Sequence, residues 1–197
     1  MIKGGRPREF KDLSVIDAAI DVFWSKGYEA CSTKDLCEKT GIGRGSLYNA
    51  FGSKHELYEQ ALQRYHEIGI HAQIEILEQP GPIKERLREL LEWAVDADFS
   101  NPERSGCMAI NAAMERAGVD PAVDQMFNEH IELLQIALCR TLEKAQSTGE
   151  ISSERPILEM ASLFLSSYYG LRVLNKGTQN RDMAALIVNG TLAAIFS

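Results

Sequence analysis

The side chains with the clearest chemical potential lie between Gly41 and Phe51, in the run Gly-Ile-Gly-Arg-Gly-Ser-Leu-Tyr-Asn-Ala-Phe. Leu47 and Phe51 are four residues apart and share one helical face. That turns Arg44, Ser46 and Asn49 off the core side. Arg suits the guanine edge and Asn suits adenine, so these three have the chemistry to read base edges wherever such a helix meets a duplex. Gly45 carries no side chain to hold the backbone away from a duplex, and close approach is its expected contribution. Just upstream, Thr33 and Lys34 open another short helix, whose N-terminal amides and positive dipole end suit a phosphate. A different chemistry is suggested by Cys107. It follows Gly106 near the start of a helix, where the dipole lowers a thiol pKa, and Arg104 is close in sequence. Cys31 and Cys37 are expected to be small buried fillers. The chain holds no G-x-S-x-G, P-loop, H-E-x-x-H or paired-cysteine metal site, and His66 and His71 miss the i, i+4 spacing that shares a helical face. No enzyme, metal or cofactor is expected.

The elements that must position these residues are marked by proline and glycine. Pro7, Pro80, Pro82, Pro102, Pro121 and Pro156 all fall between helical patterns or at their starts. Leu13, Ile16, Ile20 and Phe23 recur at helical spacing and stop at Gly27. Ser32 begins a second helix with Asp35 as its capping-box-like partner, and Gly41 ends it. The third helix runs from Arg44 to Phe51. Ser53-Lys54-His55-Glu56 is a capping box opening a long fourth helix, with Leu57, Ala61, Tyr65, Ile68, Ala72 and Ile76 on one face. Further helices are predicted from Pro82 to about Asp98 and from Gly106 to about Ala117. Asp120-Pro121 opens another, in which Phe127, Ile131, Leu134, Leu138 and Leu142 form a core stripe that ends at Gly149. The last two span about Glu154 to Asn175 and about Asn180 to Phe196. Nothing alternates like a strand, so the expected fold is all-α with about nine helices. Small residues in the last two helices (Ala161, Ser162, Ser166, Ser167, Gly170; Ala184, Ala185, Gly190, Ala193, Ala194) permit close packing, either within the chain or across a two-fold axis.

Composition is that of a soluble globular protein: 197 residues, 45% hydrophobic, 25% charged, net charge -7. The longest wholly apolar stretch, Met183 to Val188, is far short of the ~18 residues of a membrane span, so no membrane partner is expected. Scattered cysteines and the absence of an apolar leader suggest a reducing, cytoplasmic setting. The acidic total hides an asymmetry. Ten Lys/Arg face nine Asp/Glu over residues 1–65, whereas eleven face nineteen over 66–197. The basic, glycine-rich opening with Arg6 and Arg8 suits a mobile arm able to reach a phosphate or a minor groove.

Two short helices joined by a glycine turn, with another packed across them, form a helix-turn-helix pattern. The stretch from Ala18 to Leu62 also resembles the N-terminal domain of TetR/AcrR-family transcriptional regulators. The matching positions are Ala18-Ala19, Phe23, Lys26-Gly27-Tyr28, Ser32-Thr33, Leu36, Thr40-Gly41-Ile42, Gly45-Ser46-Leu47-Tyr48, Phe51, Ser53-Lys54 and Leu57. This resemblance implies an arm and DNA-binding domain over residues 1–52. It implies an effector-binding and dimerising domain over 53–197, with the fourth helix as connector. Tyr48 and Lys54 match family positions that contact the DNA backbone. The implied activity is a repressor that binds a pseudo-palindromic operator as a homodimer, paired through its last two helices, and is released by a small molecule. The effector pocket implied among helices 4 to 8 draws on Trp93, Cys107, Met108, Asn111, Phe127, His130 and Tyr168, with Phe99, Met114, Phe164 and Tyr169 also available. The segment Gly106 to Asn111 is similar to one branch of the family, and some members with a cysteine there respond to electrophiles or oxidants. One alternative is therefore a thiol-sensing repressor acting through Cys107. Another is a small-molecule-binding helical dimer without specific DNA binding, against which Arg44, Gly45, Tyr48 and Lys54 speak.

Overall fold

The computed structural model describes residues 8–100 and 106–197; Arg6, Arg104 and the side chain of Arg8 lie outside the described set. Among the described residues there are nine helices and no strand: α1 (Arg8–Ala30), α2 (Thr33–Thr40), α3 (Arg44–Phe51), α4 (Lys54–Glu78), α5 (Ile83–Ser100), α6 (Met108–Arg116), α7 (Pro121–Ser147), α8 (Ile157–Thr178) and α9 (Arg181–Ile195). Among the described residues no helix is long and apolar enough to cross a membrane.

Local chemistry explains most of these boundaries. Gly27 takes φ 77° and kinks α1 three residues before its end. Ser32 and Asp35 form the reciprocal capping box at the start of α2, and Gly41 closes that helix in the left-handed region. Of the box expected at α4, the Ser53 half forms: its Oγ accepts the Glu56 N–H at 3.1 Å. Asp120 caps α7 by accepting the Ala122 N–H at 3.2 Å, with Pro121 in the first helical position. Two starts fall later than the sequence pattern suggests. Cys107 is the extended N-cap of α6. α8 begins after Pro156, because the residue before a proline is disfavoured in helical conformation.

Two apolar cores result. The larger joins the second half of α4 to α5, α7, α8 and α9 around Leu87, Leu91, Leu138, Phe164 and Leu171. The smaller packs α1 to α3 against the first turns of α4 around Phe23, Leu36, Leu47, Leu57 and Leu62, and it also takes Met108 and Ala112 from α6 and Val123 from α7. The head defined by α1 to α3 therefore shares its core with elements beyond residue 52. α4 packs on both α1 and α7. Its buried face includes His66, Ile70 and Gln73, whereas Ile68, expected in the stripe, is 54% exposed.

Candidate DNA interface and effector cavity

α3 sits on the head through Leu47 and Phe51, against Leu36 of α2. Arg44, Gly45, Ser46 and Asn49 are exposed. A Cβ built on Gly45 would meet nothing within 4 Å, so the backbone there is bare to an approaching surface. Gly43, the N-cap, offers no side-chain hydrogen bond, which leaves the first amides of α3 open. Thr33 Oγ1 and the Tyr48 hydroxyl are hydrogen-bonded, joining the N-terminus of α2 to α3. The Arg44 guanidinium lies 5.8 Å from the Tyr48 ring centre. Lys34 is exposed and pairs loosely with Glu38 at 3.7 Å. The Lys54 ammonium lies 4.3 Å from the Tyr28 ring centre. Asp35 is held well below the usual carboxylate range by its hydrogen bonds to Lys26 and Ser32. Its charge is thus neutralised locally by Lys26 at 2.6 Å.

The head is clasped by α6 at the C-terminal end of α1. The Glu115 carboxylate accepts the backbone N–H groups of Tyr28 and Glu29, both at 2.9 Å, just past the break at Gly27. An alanine at Gly27 would place its Cβ 3.0 Å from that carboxylate. Arg116 bridges Glu29 at 2.5 Å and Asp120 at 3.3 Å, with its guanidinium 4.7 Å from the Tyr28 ring centre. His55 Nε2 meets Asp120 Oδ2 at 2.8 Å. His55, Glu59 and Asp120 are the three-donor group, among the described residues, that could surround a cation. Arg116 already supplies the positive charge on Asp120, and the other Asp120 oxygen caps α7, so the grouping is an ion-paired joint. In the sequence, Glu115 and Arg116 read as ordinary surface charges, because their partners lie 86 or 87 residues away.

Between this head and the body, the larger core of α5, α7, α8, α9 and the second half of α4, lies a cavity of about 390 Å³. Trp24 of α1, Tyr65, Ile68, Gly69 and Gln73 of α4, and Trp93 of α5 line it, with Cys107, His130, Tyr168, Tyr169 and Arg172. Four of the expected pocket residues, Trp93, Cys107, His130 and Tyr168, meet here, and Tyr169 joins them. The other expected residues lie elsewhere. Met108 is 2% exposed in the head core, Asn111 accepts a hydrogen bond from Lys176 at 2.7 Å, and the Phe127 ring packs 6.0 Å from Tyr169. Phe164 is in the body core, Phe99 packs against it, and Met114 is exposed. Trp24, Gln73 and Arg172 carry no sequence signal that would assign them to a pocket, since each reads as one more position in a helix.

The cavity wall is polar in a few places only. Arg172 donates to Asp98 Oδ1 from Nε at 3.2 Å and Nη2 at 2.7 Å, and Asn175 donates to Asp98 Oδ2 at 3.1 Å. Gln73 Nε2 donates to the Tyr168 hydroxyl at 3.0 Å. Gln73 Oε1, His130 Nδ1 and the Tyr169 hydroxyl are buried without a hydrogen-bond partner. The His66 and His130 rings lie 4.8 Å apart, and burial lowers their pKa values to about 4 and about 3, so both are neutral at pH 7. Burial pushes the Tyr168 phenol up to about 12. The Tyr65 hydroxyl donates to Cys107 Sγ at 3.7 Å, and burial pushes the Cys31 thiol up to about 11. Leu158, Leu163, Val173, Leu174, Met183 and Leu186 of α8 and α9 are exposed, Leu186 to 72%.

Residues 15–61 match the model of bacterial regulatory proteins of the tetR family, and residues 83–190 match the tetracyclin repressor-like C-terminal domain. The chain is 34% identical over 180 residues to the uncharacterized HTH-type transcriptional regulator YezE of Bacillus subtilis (strain 168), covering 90% of this chain and 92% of that one. It is 37% identical over 108 residues to the HTH-type transcriptional repressor BdcR of Escherichia coli (strain K12), covering 54% of each. Among solved structures, a cysteine mutant of the TetR family regulator CifR in complex with 26 bp operator DNA superposes with a TM-score of 0.84 at 27% identity, covering 97% of this chain and all of that one. A TetR family regulator from Cytophaga hutchinsonii shares the fold with a TM-score of 0.83 at 19% identity, covering 98% of each. These relatives are transcriptional regulators rather than enzymes. With both parts of the chain matched and a relative aligned along nearly its whole length, the protein belongs to the TetR family of DNA-binding transcriptional regulators.

Proposed function

We propose that the chain is a homodimeric repressor that binds a pseudo-palindromic operator and is released by a small molecule held in the cavity. The observation that carries this reading is the position of α6. Its N-terminal end, Cys107 and Ala109, lines the cavity, and its C-terminal end, Glu115 and Arg116, grips α1 and the cap of α7. A ligand that displaces one end of this helix must move or strain the other, because a nine-residue helix is stiff. Arg44, Ser46 and Asn49 then read base edges, Gly45 permits close approach, and Thr33, Lys34, Tyr48 and Lys54 hold phosphates. Residues 1–52 form the DNA-binding unit and 53–197 the effector and dimerisation unit, with α4 as connector. The exposed apolar face of α8 and α9 supports pairing through those helices, and two recognition helices would then enter successive major grooves about 34 Å apart. The names of BdcR and of ComR of Escherichia coli (strain K12) support repression, and the protein would act in the cytoplasm with the DNA it binds.

Gel shifts on the DNA adjoining the protein's own gene test this reading. A specific, salt-sensitive complex is expected, carrying two chains per site. Only non-specific binding across that DNA would overturn it. A second reading, thiol-based release at Cys107, is favoured by one feature: that thiol lines the cavity within 3.7 Å of the Tyr65 hydroxyl. Cys107→Ser should then abolish release by oxidants, and unchanged release would exclude this sulfur.

A further inference from the structure

Resting on the reading of the cavity as the effector site, we propose that it takes an uncharged aromatic molecule of two or three rings carrying a hydrogen-bond donor, and that this molecule touches the head helix α1 directly. The walls supply flat faces, from Trp24, Tyr65, Trp93, Tyr168 and Tyr169. The volume of about 390 Å³ is at the small end of ligand pockets, which suits a compact ring system.

Charge is excluded because, among the described residues, every formal charge lining the space is already matched. Arg172 is bound to Asp98, and the two are 4% and 1% exposed. Asp17 is paired with Arg64, and Asp21 with Lys39 at 2.9 Å. His130 is neutral, with the neutral His66 ring against it. A charged ligand would lose its water and find no unpaired counter-charge.

The need for a donor comes from Gln73. Its side chain is 3% exposed and its Nε2 is committed to the Tyr168 hydroxyl, while Oε1, which can only accept, has no partner. Gln73 lines the cavity, so a small rotation of its amide presents that oxygen to an N–H or O–H on the ligand. His130 Nδ1 and the Tyr169 hydroxyl can meet a second polar group. The contact with α1 follows from Trp24, which lines the cavity and donates from Nε1 to the Gly106 carbonyl at 2.7 Å. A ligand against Trp24 thus acts on α1 and on the entry to α6 together.

Calorimetry on the full-length protein without DNA, using four naphthalene probes of similar size, tests this. 2-Naphthol should bind at least tenfold tighter than 2-methoxynaphthalene, which accepts but cannot donate. 2-Naphthoate and 2-naphthylmethylammonium should each bind at least tenfold weaker than 2-naphthol. Gln73→Leu should erase the gap between naphthol and its methyl ether. Trp24 and Trp93 are the chain's two tryptophans, so fluorine NMR of 5-fluorotryptophan protein, assigned with Trp93→Phe, should show the Trp24 line shifting at saturation. The proposal falls if a charged probe binds as well as naphthol, if Gln73→Leu keeps the gap, if the Trp24 line stays still, or if no probe binds. None of those results touches operator binding, which is measured separately by gel shift, and loss of the gel shift would leave the naphthol affinities standing.

Discussion

Replacing Asp98 with asparagine removes one charge and almost no volume from the buried partner of Arg172, a residue that lines the cavity. Asp98 is 1% exposed and accepts two hydrogen bonds from Arg172 and one from Asn175. The guanidinium, itself 4% exposed, cannot shed its proton, so Asp98→Asn strands a buried positive charge. Breaking a buried pair in this way costs about 3–5 kcal/mol. With a urea slope of about 2 kcal/mol per M, the unfolding midpoint should fall by roughly 2 M. The comparison is made at one protein concentration, because a dimer's stability depends on it. The same substitution should reverse the cavity's ligand preference. Arg172 lines the space, so an anionic probe gains a partner that Asp98 occupies in the native chain. 2-Naphthoate should bind Asp98→Asn at least tenfold tighter than the native protein and recover part of the lost midpoint. A stability loss under about 1 kcal/mol together with unchanged naphthoate affinity would show that Asp98 is not what neutralises Arg172.

Acid should destabilise the protein through His66 and His130. Burial lowers both folded pKa values, to about 4 and about 3, while the unfolded chain takes up protons near the ordinary value of about 6.5. Neither contributes a penalty at pH 7; below about pH 6.5 each costs up to about 1.4 kcal/mol per pH unit until its folded pKa is reached. His66→Phe should flatten the fall in melting temperature over that window, and an equally steep profile would contradict the burial argument. Arg44→Ala should cost about 1–3 kcal/mol in operator binding and little in binding to random DNA, and equal losses would remove Arg44 from base reading. Lys54→Ala should weaken both and reduce the salt slope by about one; an unchanged slope would argue against a phosphate contact. Leu186→Glu, at a position 72% exposed, should yield monomers in sedimentation, and a persistent dimer would move the interface off this face.

Much of the fold is legible in the sequence because its punctuation is local. The Ser32–Asp35 box, the Gly41 cap and the Asp120-Pro121 start each depend on hydrogen bonds or dihedral limits spanning a few residues. The exposure of Arg44, Ser46 and Asn49 follows equally from the spacing of Leu47 and Phe51 on a single short helix. The run from Ala18 to Leu62 is dense enough in matching positions to identify its family.

Helical periodicity does not say which neighbour a face meets. Ile68 fits the α4 stripe by spacing and yet is exposed, because it borders the cavity rather than the core. Met108 has the composition of a pocket residue and packs into the head core, because α6 crosses from body to head. The Asp98–Arg172 pair spans 74 residues, Gln73–Tyr168 spans 95, and the Glu115 bonds to α1 span 86 and 87. What the sequence by itself determined was the set of helices, their caps, and the outward side chains of the recognition helix. Only the tertiary structure decided which side chains enclose the cavity, which charges cancel within it, and how α6 ties it to the head. Caps and turns close over distances the chain spans in one turn, whereas a cavity wall is assembled from helices whose order of packing no short-range preference specifies.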